Sequence, residues 1–281
     1  MDTVTITGKE AVAATAEGVR ASVPVRVLVD RLAPPDRMDT GKIILPDGVK
    51  SVVSRGPMTV MAYEMPPRVH NLKWIARDSP APFGPGAKYR TVRLAQPYII
   101  VLAVFGRGPD GRPALTGSNE CFYRVGPLKS LADELLYPAL LNCSKFEPEG
   151  GHPLSWICTQ YLKLDALAAV ADSNERLRNA ITALLECLLD TGFNYSSENH
   201  EANSWFSESA RRVGEPRIKT VEDWQEAGKE DPLFVLNVKW LPTGRSLAQV
   251  IDRIFLNHGI DAARPATSSD IARLILGSAR T

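Results

Sequence analysis

Cysteine and histidine are scarce in this sequence, four of each, and no Cys-x-x-Cys pair occurs. Structural zinc sites announce themselves through two closely spaced ligand pairs, so the scarcity argues against one. Long apolar runs are also missing. The most apolar stretch, Tyr98 to Phe105, falls far short of the roughly 20 residues a membrane-crossing helix needs. Met1-Asp2-Thr3-Val4-Thr5 has neither a basic nor an apolar leader character, so no secretory signal is expected. Reduced thiols in the cytoplasm follow as the expectation. Charge of one sign is missing as well: 33 basic side chains stand against 32 acidic ones, for a net charge of +1. Such a balance supplies no general field for phosphate backbones or anionic lipid, so neither nucleic acid nor membrane is the expected partner.

Common catalytic signatures are absent too. The chain contains no Gly-x-x-x-x-Gly-Lys-Ser/Thr loop, no Gly-x-Gly-x-x-Gly turn and no Gly-x-Ser-x-Gly elbow. His200-Glu201-Ala202-Asn203-Ser204 begins like a zinc-protease helix but has serine where the second histidine ligand belongs. Its acidic residues form no tight cluster for a two-metal site. No cofactor and no metal are therefore expected.

What is present reads as a folded α+β protein. A hydrophobic fraction of 44% with 23% charged residues can bury a core and excludes general disorder. Val23 to Val29 and Met58 to Tyr63 have strand character, with Pro24 marking an edge or a strand start. Asp78 to Gly86 is the densest Pro/Gly cluster, a linker or a long surface loop. Thr91 to Phe105 reads as a buried strand, Gly106 to Pro113 as a turn, and Glu120 to Val125 as an antiparallel partner strand. Leu128, Leu131, Ala132, Leu135 and Leu136 recur at helical spacing behind Pro127. Trp156 to Leu162 has extended character. Asp172 and Glu175 resemble a capping box for a helix over 173–189, closed by Gly192. Leu233 to Trp240 alternates like a strand, Ser246 and Gln249 cap a helix to about Asn257, and a short helix is expected near 270–276. Strands and helices fall in unequal blocks, which favours α+β over a parallel α/β sheet. Three regions are expected: residues 1–85, β-rich; 86–200, the core; and 201–281, a strand and helical extension.

The remaining chemistry centres on cysteine. Asn142 ends an apolar stretch, a Gly-rich loop containing His152 follows, and Cys158 stands in the next ordered segment. An amide such as Asn142 stabilises an oxyanion when a thiolate such as Cys158 carries an acyl group, and His152 is placed to act as a base. The alternative is structural. Cysteine flanked by Trp156 and Ile157 is commonly core, and His152 before Pro153 is commonly a loop residue. Cys121 and Cys187 fit core positions, whereas Cys143, directly after Asn142, rivals Cys158. Trp205, Phe206 and Trp224 fit either an exposed binding face or anchors onto the core.

The order of these pieces resembles a known family. Pro97-Tyr98-Ile99-Ile100, Cys121-Phe122-Tyr123, Tyr137-Pro138-Ala139-Leu140-Leu141-Asn142, Trp156-Ile157-Cys158 and Phe193-Asn194-Tyr195 look like the prokaryotic ubiquitin-conjugating-enzyme-like family D, which includes the PRTRC system protein B group. The resemblance covers roughly residues 91 to 200. It implies an antiparallel strand meander packed against helices, a ubiquitin-conjugating-enzyme-like core with N- and C-terminal additions. It also implies Cys158 as thioester carrier and Asn142 as the oxyanion amide. Active members show His-Pro-Asn where this chain has Leu140-Leu141-Asn142. The departure implies a non-catalytic or degenerate member, an interaction module in a bacterial or mobile-element multi-protein system. Its expected partners are proteins, a ubiquitin-like protein or an activating enzyme; the alternative is an active conjugating-type enzyme using Cys158.

Overall fold

A computed structural model describes residues 3–7, 9–15, 18–32, 43–76, 78–81, 85–145, 154–159, 162–190, 214–260, 271, 272 and 275. The chain divides into two compact units, Met1–Arg37 with Ile260–Thr281, and Met38–Gly259. In the first unit, strands β1 (Thr3–Thr7), β2 (Glu10–Ala14) and β3 (Arg20–Pro24) form an antiparallel sheet in sequence order. Alternation puts Ala11, Ala13, Ala21 and Val23 on one face, where they pack with Leu28 of helix α1 (Val25–Leu32) and with Ala272 and Ile275. The strand expected over Val23 to Val29 therefore stops at Pro24. Proline has no N–H to extend the ladder, and Val25, whose N–H donates to the Lys9 carbonyl at 3.0 Å, starts the helix.

The second unit is built on a nine-stranded antiparallel sheet. Its main path joins, in spatial order, β12 (Cys143–Lys145), β13 (Ser155–Ile157), β10 (Glu120–Arg124), β8 (Tyr98–Arg107), β5 (Met58–Met65) and β4 (Val49–Arg55). β9 (Pro113–Leu115) adds to β8, and β11 (Glu134–Leu136) joins β10 to β14 (Pro242–Ser246). β6 (Arg68–Ile75) and β7 (Tyr89–Gln96) pair as a separate hairpin. The Pro/Gly cluster at 78–86 thus connects two paired strands. The run expected as one strand over Thr91 to Phe105 is two, broken at Pro97, so β7 belongs to the hairpin and β8 to the large sheet.

Register fixes which side chains share a face. Ile99, Val101, Ala103 and Phe105 of β8 lie with Met61, Met65, Cys121 and Tyr123 in the main core. The hairpin, α2 (Leu164–Ala168), α3 (Ser173–Leu189) and α4 (Val221–Glu230) cover that side through Leu72, Trp74, Val92, Leu94, Leu167, Leu177, Ile181, Leu184 and Trp224. Trp224 is fully buried, and its indole N–H donates to the Ala95 carbonyl at 2.8 Å. Gly228, one turn further along α4, allows this close approach: a Cβ there would lie 3.3 Å from the Ala95 Cβ. The opposite face carries Ile100, Leu102, Val104, Glu120 and Arg55, in register with Val60 and Ala62. Helix α5 (Leu247–Asn257) is tied to this face at two strands, the edge strand β4 and the interior strand β10. Arg55 pairs with Asp252 and stacks 4.8 Å above the Phe255 ring, and Arg253 pairs with buried Glu120.

Two expected elements take other forms. The leucine-spaced segment behind Pro127 is an extended turn leading into β11, not a helix. Asp133 accepts the Lys129 and Ser130 N–H groups at 2.7 and 3.0 Å, and the Glu64 carboxylate takes the N–H of Leu128. Glu134 to Leu136 then pair with β10 and β14, which draws the second half of the expected helix into the sheet, and Leu131 is exposed. Leu233 to Trp240 is not a strand but a 3-10 turn (Phe234–Leu236) followed by coil. Trp240 folds back to donate to the Val235 carbonyl at 2.8 Å and meets Tyr123 edge-on at 5.1 Å. Helix α3 and its Asp172 cap, and α5 with its Ser246–Gln249 capping box, follow the sequence pattern. Gly192 and most of the expected helix near 270–276 lie outside the described residues.

Arg176 locks α3 to the β8–β9 turn. Its buried guanidinium bonds Asp110 in two-pronged fashion at 3.1 and 2.7 Å and also donates to the Val170 and Pro113 carbonyls. That pairing, then the Arg112 backbone N–H, holds the Asp110 carboxyl down from 3.8 to about 2. A depressed acid contributes stability that is complete above its unfolded value and lost as pH falls through the folded one. Asp110→Asn should therefore unfold at a lower temperature than wild type above about pH 4, with the gap narrowing towards about pH 2. Thermal melts of both proteins across that range would show a constant gap if the pair were unimportant.

Candidate functional site

Asn142 sits at the end of a buried turn. Leu140, two residues before it, has φ of 58°, the one positive value outside glycine among the described residues. A leucine rarely adopts this left-handed conformation, which costs about 1 kcal/mol or more and persists only where packing fixes it. Leu140 and Leu141 are buried in the main core, which supplies that fixing. The reversal ends with the Cys143 N–H donating to the Leu141 carbonyl at 2.7 Å and launches β12 beside β13, with Cys143 opposite Ile157.

The Asn142 side chain, 5% exposed, is spent on backbone carbonyls. Its amide nitrogen donates to the Cys187 carbonyl at 2.8 Å and to the Cys158 carbonyl at 3.3 Å. The backbone carbonyl of Asn142 accepts the Cys158 N–H at 3.2 Å, and its backbone N–H donates to the Leu188 carbonyl at 3.4 Å. One residue thereby ties together the start of β12, the chain leaving β13 and the last turn of α3. The carbonyls of a helix's last turn lack partners within the helix, and the clamp supplies donors for two of them.

The β13 side of the clamp is itself held. Glu120 accepts the Leu154 and Ser155 N–H groups at 3.0 and 3.3 Å while its other oxygen takes the Arg253 guanidinium. Burial pushes the Glu120 carboxyl up, against the pull of Arg253. The Ile157 N–H donates to the Asn119 carbonyl at 2.9 Å, and the Trp156 indole donates to the Gly117 carbonyl at 2.6 Å.

Three of the four cysteines are buried, and Cys158 is partly exposed. Burial, followed by the neighbouring Cys143 thiol, pushes the Cys121 thiol well up. Burial, then the charge of Cys158, then that of Glu186, raises the Cys187 thiol to about 11. Protonated thiols are poor nucleophiles at neutral pH, so neither Cys121 nor Cys187 is poised for acyl chemistry.

Comparison with protein-family models, curated proteins and solved structures finds no match.

Of the three residues singled out in the sequence, Asn142 and Cys158 come together through reciprocal backbone and amide bonds; His152 lies outside the described residues, as do Asn194, Tyr195, Trp205 and Phe206. Oxyanion stabilisation needs an N–H aimed at the reacting oxygen. The Asn142 amide has two, and Cys158 and Cys187 carbonyls take them both. As arranged, the residue is a clamp. Cys187 was legible as a core cysteine on a helix face, but its meeting with Asn142, 45 residues earlier, had no local signal. Among the described residues, no three His, Cys, Asp or Glu side chains group to hold a metal ion, and no helix is long and apolar enough to cross a membrane.

Replacing Asn142 tests the clamp directly. Asn142→Ala strands two carbonyls without their donor and should lower stability by about 2–3 kcal/mol, read from urea midpoints. Asn142→Asp, which sets a carboxylate against the same carbonyls, should cost more. An alanine variant within about 0.5 kcal/mol of wild type would remove the clamp as a structural element.

Proposed function

We propose that this chain is a ubiquitin-conjugating-enzyme-like protein, of the prokaryotic family D type, that serves as a non-catalytic interaction module in a multi-protein bacterial or mobile-element system. Its partners on this reading are a ubiquitin-like protein or an activating enzyme, met in the cytoplasm. The reading draws support from the antiparallel strands β4, β5, β8 and β10, followed in the chain by an asparagine turn, a cysteine and a helix packed on the sheet. The observation that carries its non-catalytic part is the Asn142 amide: both N–H groups are occupied by backbone carbonyls. The residue that would stabilise a tetrahedral intermediate has no donor left for it.

One observation favours an active conjugating enzyme instead. Cys158 is the one cysteine of the four that is not buried, and its backbone sits against Asn142. On that reading the Cys158 thiolate attacks the thioester carbonyl of a loaded activating enzyme. A new thioester forms at Cys158 as the activating enzyme's thiolate departs.

The two readings separate in one mixture of the chain, ATP, an activating enzyme and a ubiquitin-like protein. Intact mass under non-reducing conditions should show no adduct on the chain. Calorimetry should show binding to the ubiquitin-like protein or to the activating enzyme, equal for wild type and Cys158→Ser. A thiol-labile adduct absent from Cys158→Ser would establish the enzyme, and no binding to either protein would sink the interaction module.

A further inference from the structure

The four cysteines come from four places in the chain, two on strands of the large sheet and two whose backbone carbonyls share the Asn142 amide. Cys121 of β10 and Cys143 of β12 are both buried in the main core. Cys158, just past β13, and Cys187, in the last turn of α3, are drawn together by Asn142, whose single amide nitrogen bonds both of their carbonyls. The two pairs differ in access. Cys121 is fully buried and Cys143 is 6% exposed, whereas Cys158 reaches solvent and Cys187 lies 5% exposed behind it.

We propose that Cys158 and Cys187 are a redox-responsive dithiol, in which a peroxide oxidises Cys158 and Cys187 resolves the product as an intrachain disulfide. Cys158, through its exposure, meets the oxidant first. Its sulfur attacks one peroxide oxygen, the O–O bond breaks, and Cys158 becomes a sulfenic acid while hydrogen peroxide is reduced to water. The Cys187 sulfur then attacks the Cys158 sulfur, the S–O bond breaks, the S–S bond forms, and a second water carries off the Cys187 proton. The bond would fasten the end of β13 to the end of α3, the same two elements that Asn142 joins. This dithiol is independent of whether Cys158 ever carries a thioester.

The test is oxidation of the folded full chain with hydrogen peroxide, followed by acid quench, alkylation and peptide mapping. The expected result is a Cys158–Cys187 cross-linked peptide, the loss of two alkylatable thiols per chain, and their return on adding dithiothreitol. In Cys187→Ser the cross-link should vanish, and a sulfenic-acid probe such as dimedone should label Cys158 severalfold more than in wild type. Four wild-type outcomes would overturn the proposal, and none depends on a variant folding. They are Cys158 oxidised beyond sulfenic acid with Cys187 still alkylatable, Cys121 joined to Cys143 while Cys158 stays reduced, Cys158 linking two chains, and no thiol lost.

Discussion

Backbone carbonyls at the end of a helix and at the edge of a sheet both need donors, and a buried one without a donor costs about 1–3 kcal/mol. Asn142 meets that need for two elements at once. Its amide joins the Cys187 carbonyl of α3 to the Cys158 carbonyl beyond β13, and its backbone binds both neighbours again. The left-handed Leu140 just upstream turns the chain so that the amide can face inward. Strain at Leu140 and hydrogen bonding at Asn142 are two sides of one arrangement: the core leucines hold the turn, and the turn delivers the clamp.

Charge does comparable work further out on both faces of the sheet. Arg176 fastens the start of α3 to the β8–β9 turn through Asp110, and Arg253 fastens α5 to β10 through Glu120. Arg176 and Glu120 are buried while Asp110 is partly exposed. A buried charge gains little net stability from its pair once desolvation is counted, but removing its partner leaves it uncompensated and is costly. The contribution of these pairs here is placement. Glu120 also accepts two N–H groups of the segment entering β13, so the pair that seats α5 on one face sets the strand leading to Cys158.

Elements governed by local patterns were legible in the sequence. Helix α3, with its Asp172 cap and its Leu177, Ile181, Leu184 and Leu188 stripe, and α5, with its Ser246–Gln249 box, depend on contacts three and four residues apart. The misread segments are those where a distant or side-chain partner outbid the local pattern. The Leu128 to Leu136 spacing is helical, yet Glu134 to Leu136 pair as a strand with β10 and β14, partners distant in the sequence. Leu233 to Trp240 alternates, yet Trp240 turns back onto Val235. At the site, the Asn142–Cys158 pairing was legible from chain order, while the orientation of the amide was not. It depends on Cys187 at the far end of α3, and nothing near Asn142 in the sequence announces that partner.

That orientation also decides what Cys158 can do. A cysteine beside an asparagine suggests acyl transfer only while the amide points at the thiol's reacting partner. Here the amide points at two main chains. What it joins to the Cys158 main chain is the main chain of another cysteine, Cys187, so the geometry that withholds an oxyanion donor also brings the backbones of two cysteines to one amide. On the proposed dithiol reading, disulfide formation needs access, proximity and an attacking sulfur, whereas transthiolation also needs a stabilised tetrahedral oxygen. The clamp thus bears on fold and chemistry together.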